Sequence, residues 1–377
     1  MRKILCFLVS FAILTLCFPS NTLALDLPSV SAKAAVVING LTREVIYAKN
    51  KDERLSMAST TKIMTSLLLI ENGDLSKEYN VSQKAASTEG SSIYLKSGDK
   101  ITGDALLAGM MLESGNDAAT ATAEAVAGSV EAFADKMNER AREIGMKNTN
   151  FVTPSGLDAE THYSSAYDMA ILTSEALKHK QFREISATVS KKVTFGGSEH
   201  TFTNHNKLIT EYEGCIGVKT GYTRKSGRCL VSAALRDGKL IIAVTLSDPN
   251  DWEDHEKLLD YGMKEVEMCD ITYGGGDLEA AVVGSDVTLV SLAVPKRLAG
   301  LSASEKQKIN YKVELESFLY APVYAGQEAG KVHYYYDDIL IATDNLYVGG
   351  DISYSAKQEN TEKDFWRCFR LLFSFFK

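Results

Sequence analysis

The chain has 377 residues, of which 45% are hydrophobic and 24% are charged, and its formal net charge is −8 at pH 7. This length is sufficient for two domains, and the composition excludes an intrinsically disordered protein. The acidic balance argues against nucleic acid as a partner.

The first 24 residues are organised like a secretory signal peptide. Arg2 and Lys3 precede an apolar run, Ile4 to Phe18, and Thr22-Leu23-Ala24 offers the small residues that a signal peptidase reads. The apolar run is shorter than the roughly 20 residues of a membrane-spanning helix. We therefore expect cleavage after Ala24 and export, rather than an uncleaved anchor.

The mature chain is expected to begin with two strands and to continue with helices. Ala34–Asn39 and Glu44–Ala48 are β-like runs at hairpin spacing. Apolar residues at helical spacing then predict a helix that begins near Ser59. Further helical patterns cover Gly103–Met111, Asn116–Val126, Val130–Ile144 and Ser165–Lys178.

Strand-like runs return after these helices. They cover Gly214–Lys219, Arg228–Leu235 and Leu240–Thr245. Strands at both ends with helices between them indicate an α/β domain, built on a mixed sheet that is flanked by helices and whose first and last strands pair. We assign residues 30–271 to this domain.

The composition changes after the first domain. Gly274-Gly275-Gly276 is typical of a linker, and residues 277–355 alternate short β-like runs with turns. This pattern predicts a small all-β C-terminal domain.

The last segment, residues 361–377, has the pattern of an amphipathic helix. One face would carry Phe365, Phe369, Leu372, Phe373 and Phe376, and the other Lys363, Arg367, Arg370, Ser374 and Lys377. Such a helix is too short to span a bilayer but can lie in its interface. We expect it to bind the membrane surface, and the alternative is a helix that docks on its own domain.

Cysteine and histidine patterns give no support to a metal site. Signal cleavage leaves Cys215, Cys229, Cys269 and Cys368, which lack metal-ligand spacing, and the six histidines form no His-Glu-x-x-His motif. The sequence therefore predicts no metal and no other cofactor. A disulfide between Cys215 and Cys229 and two separate buried thiols both fit the pattern.

Three short clusters carry the chemistry of the chain: Ser59-Thr60-Thr61-Lys62, Ser114-Gly115-Asn116 and Lys219-Thr220-Gly221. A serine hydroxyl is a weak nucleophile until a base takes its proton, and a neutral lysine one helical turn away can be that base. Burial or a second cation would keep Lys62 neutral, and Lys219 is a candidate for that cation. Together the clusters predict a serine acyltransferase.

Five longer stretches resemble the motifs of one enzyme family. They are Ala58-Ser59-Thr60-Thr61-Lys62-Ile63-Met64-Thr65, Ser114-Gly115-Asn116-Asp117-Ala118-Ala119, Thr153-Pro154-Ser155-Gly156-Leu157-Asp158, His162-Tyr163-Ser164-Ser165-Ala166-Tyr167-Asp168 and Lys219-Thr220-Gly221-Tyr222-Thr223. From about Ala34 through Ile352 the chain resembles the D-alanyl-D-alanine carboxypeptidases, which are low-molecular-mass penicillin-binding proteins.

This resemblance implies a β-lactamase/transpeptidase-like catalytic domain and a role for each motif residue. Ser59 would form the acyl-enzyme, Lys62 would be the base, and Ser114 and Asn116 would assist. Substrate binding would fall to Lys219, Thr220, Gly221 and Tyr222, and the backbone N–H groups of Ser59 and Tyr222 would form the oxyanion hole.

The resemblance also implies the reaction and its location. The substrates would be peptidoglycan stem pentapeptides, from which the enzyme would remove the terminal D-alanine, and β-lactams would be covalent inhibitors. The protein would work at the outer face of the cytoplasmic membrane.

The chain departs from the family pattern at one place. Some members carry an arginine near the substrate carboxylate, where this chain reads Asp251-Trp252-Glu253-Asp254-His255. Thr220, Thr223 and Arg224 are the candidates that remain for this carboxylate.

The sequence argues against one rival enzyme class and leaves two alternatives open. A class A β-lactamase would need a Glu-x-x-Leu-Asn motif between the second and third clusters, which is absent. A DD-endopeptidase or transpeptidase would use the same site on cross-links. A non-catalytic envelope-binding protein would act through its β-rich domain.

Overall fold

The computed structural model describes residues 27–355, together with Trp366 and Phe369. The predicted signal peptide, residues 1–24, lies outside the described residues, as does the predicted helix 361–377 apart from those two side chains. Within the described part, no helix combines the length and the apolar character needed to cross a membrane.

The strands are β1 Ala34–Asn39, β2 Val45–Lys49, β3 Glu78–Asn80, β4 Lys100–Thr102, β5 Ser190–Phe195, β6 Ser198–Thr203, β7 Cys215–Thr223, β8 Gly227–Arg236, β9 Lys239–Leu246, β10 Glu267–Asp270, β11 Leu278–Val283, β12 Leu289–Ala293, β13 Leu298–Leu301, β14 Ile309–Leu315, β15 Leu319–Tyr320, β16 Glu328–Tyr336 and β17 Ile339–Val348. The helices are α1 Lys62–Asn72, α2 Gln83–Ala86, α3 Gly103–Met111, α4 Asn116–Ala127, α5 Val130–Glu143, α6 Ala166–Ala176, α7 Lys180–Ala187, α8 Leu208–Glu211, α9 Asp251–Glu265 and α10 Ala303–Lys306.

The first domain is built on a five-stranded sheet with the order β2-β1-β9-β8-β7. The predicted pairing of its first and last strands is confirmed, because Ala34 of β1 stands opposite Leu246 of β9. All four pairings are antiparallel, so the prediction of a mixed sheet is wrong for this domain. Short turns join β1 to β2, β7 to β8 and β8 to β9, and such turns permit only antiparallel neighbours.

Both faces of this sheet are covered. Val36 and Ile38 of β1 belong to a large core that also contains side chains of α1 and α3 to α7, whereas Ala35 and Val37 face a smaller core with α9. Successive strand residues point to opposite faces, so an uninterrupted apolar β1 serves both cores. The α/β class of the domain is thereby confirmed.

The second domain is all-β apart from the short helix α10. Its six-stranded sheet has the order β14-β16-β17-β12-β11-β15, and only the β11–β15 pairing is parallel. One separate core, with Val332, Tyr334 and Leu346 at 0% exposure, fills it. The prediction of a small all-β C-terminal domain is confirmed.

Side-chain hydrogen bonds join the two domains. Asn39 Nδ2 donates to Gly300 O at 3.0 Å and to Glu305 Oε1 at 2.9 Å. Tyr336 donates its hydroxyl proton to Glu44 Oε2 at 2.7 Å. The β16–β17 turn, β13 and α10 therefore lie at the junction, and ten-residue β17 leads away from it for about 33 Å.

The two cysteines of the third cluster's hairpin are separate buried thiols. Cys215 stands opposite Ala234 and Cys229 opposite Gly221, so the strand register keeps the two sulfurs from being neighbours. Of the two arrangements that the sequence leaves open, the structure has the unpaired one.

Candidate active site

Ser59 lies in a 3-10 turn, Ala58–Thr61, directly before α1. The preceding residue, Ala58, has φ 48°, a left-handed conformation that non-glycine residues rarely adopt. Such backbone strain persists only where the surroundings impose it, and it concentrates at functional sites. The helix therefore starts later than the predicted Ser59, and the serine sits on a tight turn at its entrance.

Lys62 is the centre of the site, at 0% exposure. Its Nζ lies 3.0 Å from Ser59 Oγ, 2.7 Å from Asn116 Oδ1 and 2.7 Å from the backbone oxygen of Ser155. A neutral amine has two N–H donors and one lone pair. Because Asn116 and Ser155 offer only acceptors here, they orient both N–H groups and leave the lone pair directed at the Ser59 hydroxyl.

The surroundings of Lys62 favour this neutral form. Burial lowers the pKa of Lys62 well below its usual value, and the charge of Lys219 lowers it further, against a smaller opposing effect of Asp117. Burial also lowers the pKa of Lys219, to about 7, although Glu113 acts in the opposite direction. The site thus has the electrostatics of a lysine base.

The second cluster supplies Asn116 at the N-terminus of α4. Asn116 accepts from Lys62 and donates through Nδ2 to the backbone oxygen of Glu89 at 2.7 Å, so its amide orientation is fixed at both ends. Ser114 is buried nearby and has φ 60°. Among the described residues, its hydroxyl makes no hydrogen bond to Lys62 or to Lys219. Asn116 therefore contacts the base directly, whereas Ser114 lies beside the site.

The third cluster forms the edge strand β7. Lys219 is 1% exposed, Thr220 and Gly221 are half-buried, and Tyr222 is exposed. A Cβ added at Gly221 would lie 3.1 Å from the backbone N of Ser59 and 3.1 Å from Met57 O. The Ser59 turn therefore passes directly against Gly221, and a side chain at this position would press on it.

Two of the five motif stretches, 153–158 and 162–168, support this turn. Gly156 has φ 86°, and a Cβ there would lie 1.9 Å from the backbone oxygen of Ala58. His162 is 2% exposed and bonds Thr61 Oγ1 through Nε2 at 2.9 Å, while Nδ1 accepts from Val152 N at 2.9 Å. Burial lowers the pKa of His162 to about 4, so it is a neutral positioning residue.

Arg228 is a cation near β7 that the sequence analysis misses. It stands opposite Tyr222 in the β7–β8 register, and directly opposite residues project from the same face of a sheet. Its Nε and Nη2 donate to Asp251 Oδ1 at 2.9 Å and 2.8 Å. Asp251 lies in the acidic stretch 251–254, and a buried acid there is the sequence signal that predicts a partner cation.

The predicted carboxylate ligands have different surroundings. Thr220 lies on β7 beside Lys219, whereas Thr223 bonds Ser226 Oγ through both its N–H and its hydroxyl at 3.0 Å. Arg224 is exposed in the β7–β8 turn. Thr220 thus lies beside the buried Lys219, whereas Thr223 is engaged within the β7–β8 turn and Arg228 is engaged by Asp251.

Comparison with known proteins gives one consistent result. The profile of the D-alanyl-D-alanine carboxypeptidase family matches residues 21–250, and that of the penicillin-binding protein 5 C-terminal domain matches residues 272–354. The D-alanyl-D-alanine carboxypeptidase DacF of Bacillus subtilis is 35% identical over 311 residues, which cover 79% of this chain and 80% of that protein.

Solved structures agree with the sequence matches. Penicillin-binding protein 5 of Haemophilus influenzae aligns with a TM-score of 0.62 and 29% identity, covering 86% of this chain and 98% of that one. The Streptomyces K15 DD-transpeptidase aligns with a TM-score of 0.60 and 33% identity, covering 64% of this chain and 100% of that one.

Proposed function

Because the chain belongs to the D-alanyl-D-alanine carboxypeptidase family, we propose that it removes the terminal D-alanine from peptidoglycan stem pentapeptides through an acyl-enzyme on Ser59. The observation that carries the proposal is the set of three bonds to Lys62 Nζ, which presents a lone pair to the Ser59 hydroxyl at 3.0 Å. That geometry is what a general base needs to activate a serine.

Acylation begins when Ser59 Oγ attacks the carbonyl carbon between the two D-alanines and its proton passes to Lys62 Nζ. The oxygen of the tetrahedral intermediate is stabilised by backbone N–H groups, for which those of Ser59 and Tyr222 are the candidates. The C–N bond then breaks, and the proton moves from Lys62 to the leaving amine, with Ser114 as the proposed relay. D-Alanine leaves and an ester on Ser59 remains.

Deacylation needs only water. Its oxygen attacks the ester carbon while Lys62 takes one proton, and the Ser59 oxygen regains a proton as the ester breaks. β-Lactams are proposed to acylate the same oxygen; the sequence lacks the Glu-x-x-Leu-Asn glutamate that would speed hydrolysis of that ester.

Substrate binding is assigned to the β7 edge. Lys219 and Thr220 lie where the terminal carboxylate of the peptide would meet a cation and a hydroxyl, and Gly221 and Tyr222 line the same edge. We also propose Arg228, the β8 partner of Tyr222 whose guanidinium is fixed by Asp251, as a further cation for the carboxylate at this end of the edge. A guanidinium suits a carboxylate well, since its donors match both oxygens.

The test uses a fluorescent penicillin and a diacetyl-Lys-D-Ala-D-Ala peptide with the purified chain. We expect covalent labelling and release of free D-alanine, and we expect Ser59→Ala to abolish both. Ser66→Ala is the matched control, because Ser66 lies on α1 and its buried hydroxyl has no hydrogen-bond partner among the described residues. Labelling that survives Ser59→Ala would refute the assigned nucleophile.

Because the chain is also similar to the Streptomyces K15 DD-transpeptidase, the assay should include cross-linked peptides. With an amine acceptor present, a transpeptidase would return a cross-linked peptide, and an endopeptidase would cut a cross-linked dimer. Labelling without D-alanine release would favour those activities over the carboxypeptidase.

We place the enzyme outside the cytoplasm, since peptidoglycan stem peptides are found there. Export through residues 1–24 and attachment of residues 361–377 to the membrane surface belong to this proposal, supported by the charge and apolar patterns of the two segments. Retention of activity in the soluble fraction after removal of 364–377 would support the attachment.

A further inference from the structure

The β-rich domain carries a group of exposed apolar side chains at one end. Val283, Val287, Phe318, Tyr320 and Tyr354, here called the apolar strip, have exposed fractions between 41% and 68%. Single exposed apolar residues are ordinary, but a contiguous group of them indicates a contact surface.

The strip is contiguous in the fold. Val283 of β11 is the parallel partner of Tyr320 of β15, and the rings of Phe318 and Tyr320 meet edge to face with centroids 5.2 Å apart. The Tyr354 ring lies 3.5 Å from the place where a Cβ at Gly284 would be. The side chains of Val283, Phe318, Tyr320 and Tyr354 thus form one surface, and Val287 lies in the adjoining β11–β12 turn.

The strip lies at the end of the domain that is farthest from the catalytic domain. Val348 ends β17 and stands opposite Leu292 of β12, so the beginning of β12 at Leu289 lies beyond the end of β17. The β11–β12 turn and the last residue of β15 lie at this same end. The junction with the catalytic domain is at the other end of β17, about 33 Å away.

The polypeptide leaves the β-rich domain at Ser355, directly beside the apolar strip. Ser355 N donates to Gly284 O at 3.0 Å, and Ser355 Oγ accepts from Asp286 N at 2.8 Å, so the exit point is held against the β11–β12 turn. Residues 356–360 can span at most about 18 Å before the segment 361–377 begins. Whatever surface binds that segment is therefore within reach of the strip.

We propose that the apolar strip rests in the interface of a lipid membrane, as a second contact beside residues 361–377. The proposal rests on the membrane attachment proposed above for that segment. Tyrosine and phenylalanine suit this position, because a tyrosine ring buries an apolar body while its hydroxyl stays in water. Asp286 is the acidic residue at the exit turn, so the strip contributes apolar burial rather than attraction to anionic headgroups.

Two contacts on one rigid domain would fix its orientation on the membrane. Binding of residues 361–377 would hold the strip at a high effective concentration near the membrane. Even a weak affinity of the strip for lipid is then sufficient for the second contact. The ~33 Å length of the sheet would then hold the catalytic domain away from the lipid.

Hydrogen–deuterium exchange of the chain from Leu25 to Lys377 tests this with vesicles of phosphatidylethanolamine and phosphatidylglycerol. We expect slower exchange in 283–288 and 317–321 when vesicles are added, and unchanged exchange in the β16–β17 turn at 337–338. Slower exchange with soluble peptidoglycan fragments, but not with vesicles, would overturn the proposal in favour of a glycan contact.

A triple variant adds a quantitative readout. Phe318→Ser/Tyr320→Ser/Tyr354→Ser should weaken vesicle partitioning about tenfold or more, since apolar area leaves water on binding. The loss should persist at high salt. The control is Leu235→Ser/Leu298→Ser/Leu340→Ser, which removes three exposed apolar side chains away from the strip and should partition normally.

The outcomes separate this inference from the proposed function. D-Alanine release from a soluble peptide should be equal in both triple variants and the parent, and unchanged hydrogen–deuterium exchange of β16 and β17 without vesicles would show that their β-rich domain folds. Vesicle binding by the parent without protection of the strip would overturn the inference alone. No vesicle binding by the parent would overturn the attachment of 361–377 and the inference with it, and would leave the peptidase intact.

Discussion

Replacing Asn116 by aspartate would place a negative charge 2.7 Å from the Lys62 amine. At that distance, and with an effective dielectric constant of about 20, the attraction between the two charges is about 4–6 kcal/mol. This raises the pKa of Lys62 by about three units or more. The lysine would then hold its proton at neutral pH and could not accept one from Ser59.

The measurement is the second-order rate of acylation by a fluorescent penicillin as a function of pH. Activity requires neutral Lys62, so it appears as pH rises through the pKa of this group. In Asn116→Asp we expect that rise to move by about three units to higher pH, so that acylation at pH values below both pKa values is about 1,000-fold slower.

Asn116→Ala is the matched control, because it also loses the bond to Glu89 O but adds no charge. We expect about a tenfold loss without a shift of the profile. If Asn116→Asp showed the same pH profile as the parent, Lys62 would not be the base, and the reasoning from its three hydrogen bonds would be refuted.

Three further predictions follow from the contacts described above. Arg228→Gln should raise KM for the peptide about 10- to 100-fold with little change in kcat, as expected for a lost charged hydrogen bond; equal effects on a substrate whose terminal carboxylate is amidated would argue against this role. Gly156→Ala should slow penicillin labelling at least about 100-fold, because the new Cβ would meet Ala58 O; the control, Gly145→Ala, has a similar φ of 90° and no atom within 4 Å. The pKa values of buried His162 and His255, about 4 and about 3, lie below the unfolded value, so unfolded chains bind more protons and stability falls with falling pH. Between pH 6.5 and 5 each should cost about 2 kcal/mol of unfolding free energy in urea titrations, and a pH-independent result would contradict their neutral burial.

Local patterns predicted the elements that depend on local interactions. α3 has the predicted bounds Gly103–Met111, because its helical period coincides with a Thr102 side chain that accepts from Ala105 N at its start. The hairpin β5–β6 was not predicted, because its strands alternate mainly exposed, polar residues and give little apolar signal. The antiparallel direction of all strands in the first sheet was also not predicted, because the hydrophobic pattern of a strand does not encode the direction of its neighbours.

The candidate site likewise combines contacts that local spacing predicts with contacts that it does not. Ser59 and Lys62 are neighbours on one turn, so their contact follows from spacing. The Lys62 contacts with Asn116 and Ser155 join residues 54 and 93 positions apart, and that with Ser155 uses a backbone oxygen that any residue would supply. Arg228 was not predicted, because its position opposite Tyr222 depends on the register of the β7–β8 hairpin.

Because two lysines are buried in one site, binding of an anionic ligand would change the protonation of Lys62. A carboxylate bound at Lys219, as proposed above, would favour the charged form of that lysine, and this charge would in turn disfavour a proton on Lys62. Free enzyme near pH 7 is then a mixture of protonation states, from which an anionic ligand selects the one with a neutral base. An uncharged ligand would leave the mixture of protonation states unchanged. The enzyme would therefore discriminate between anionic and uncharged ligands before any bond to Ser59 forms.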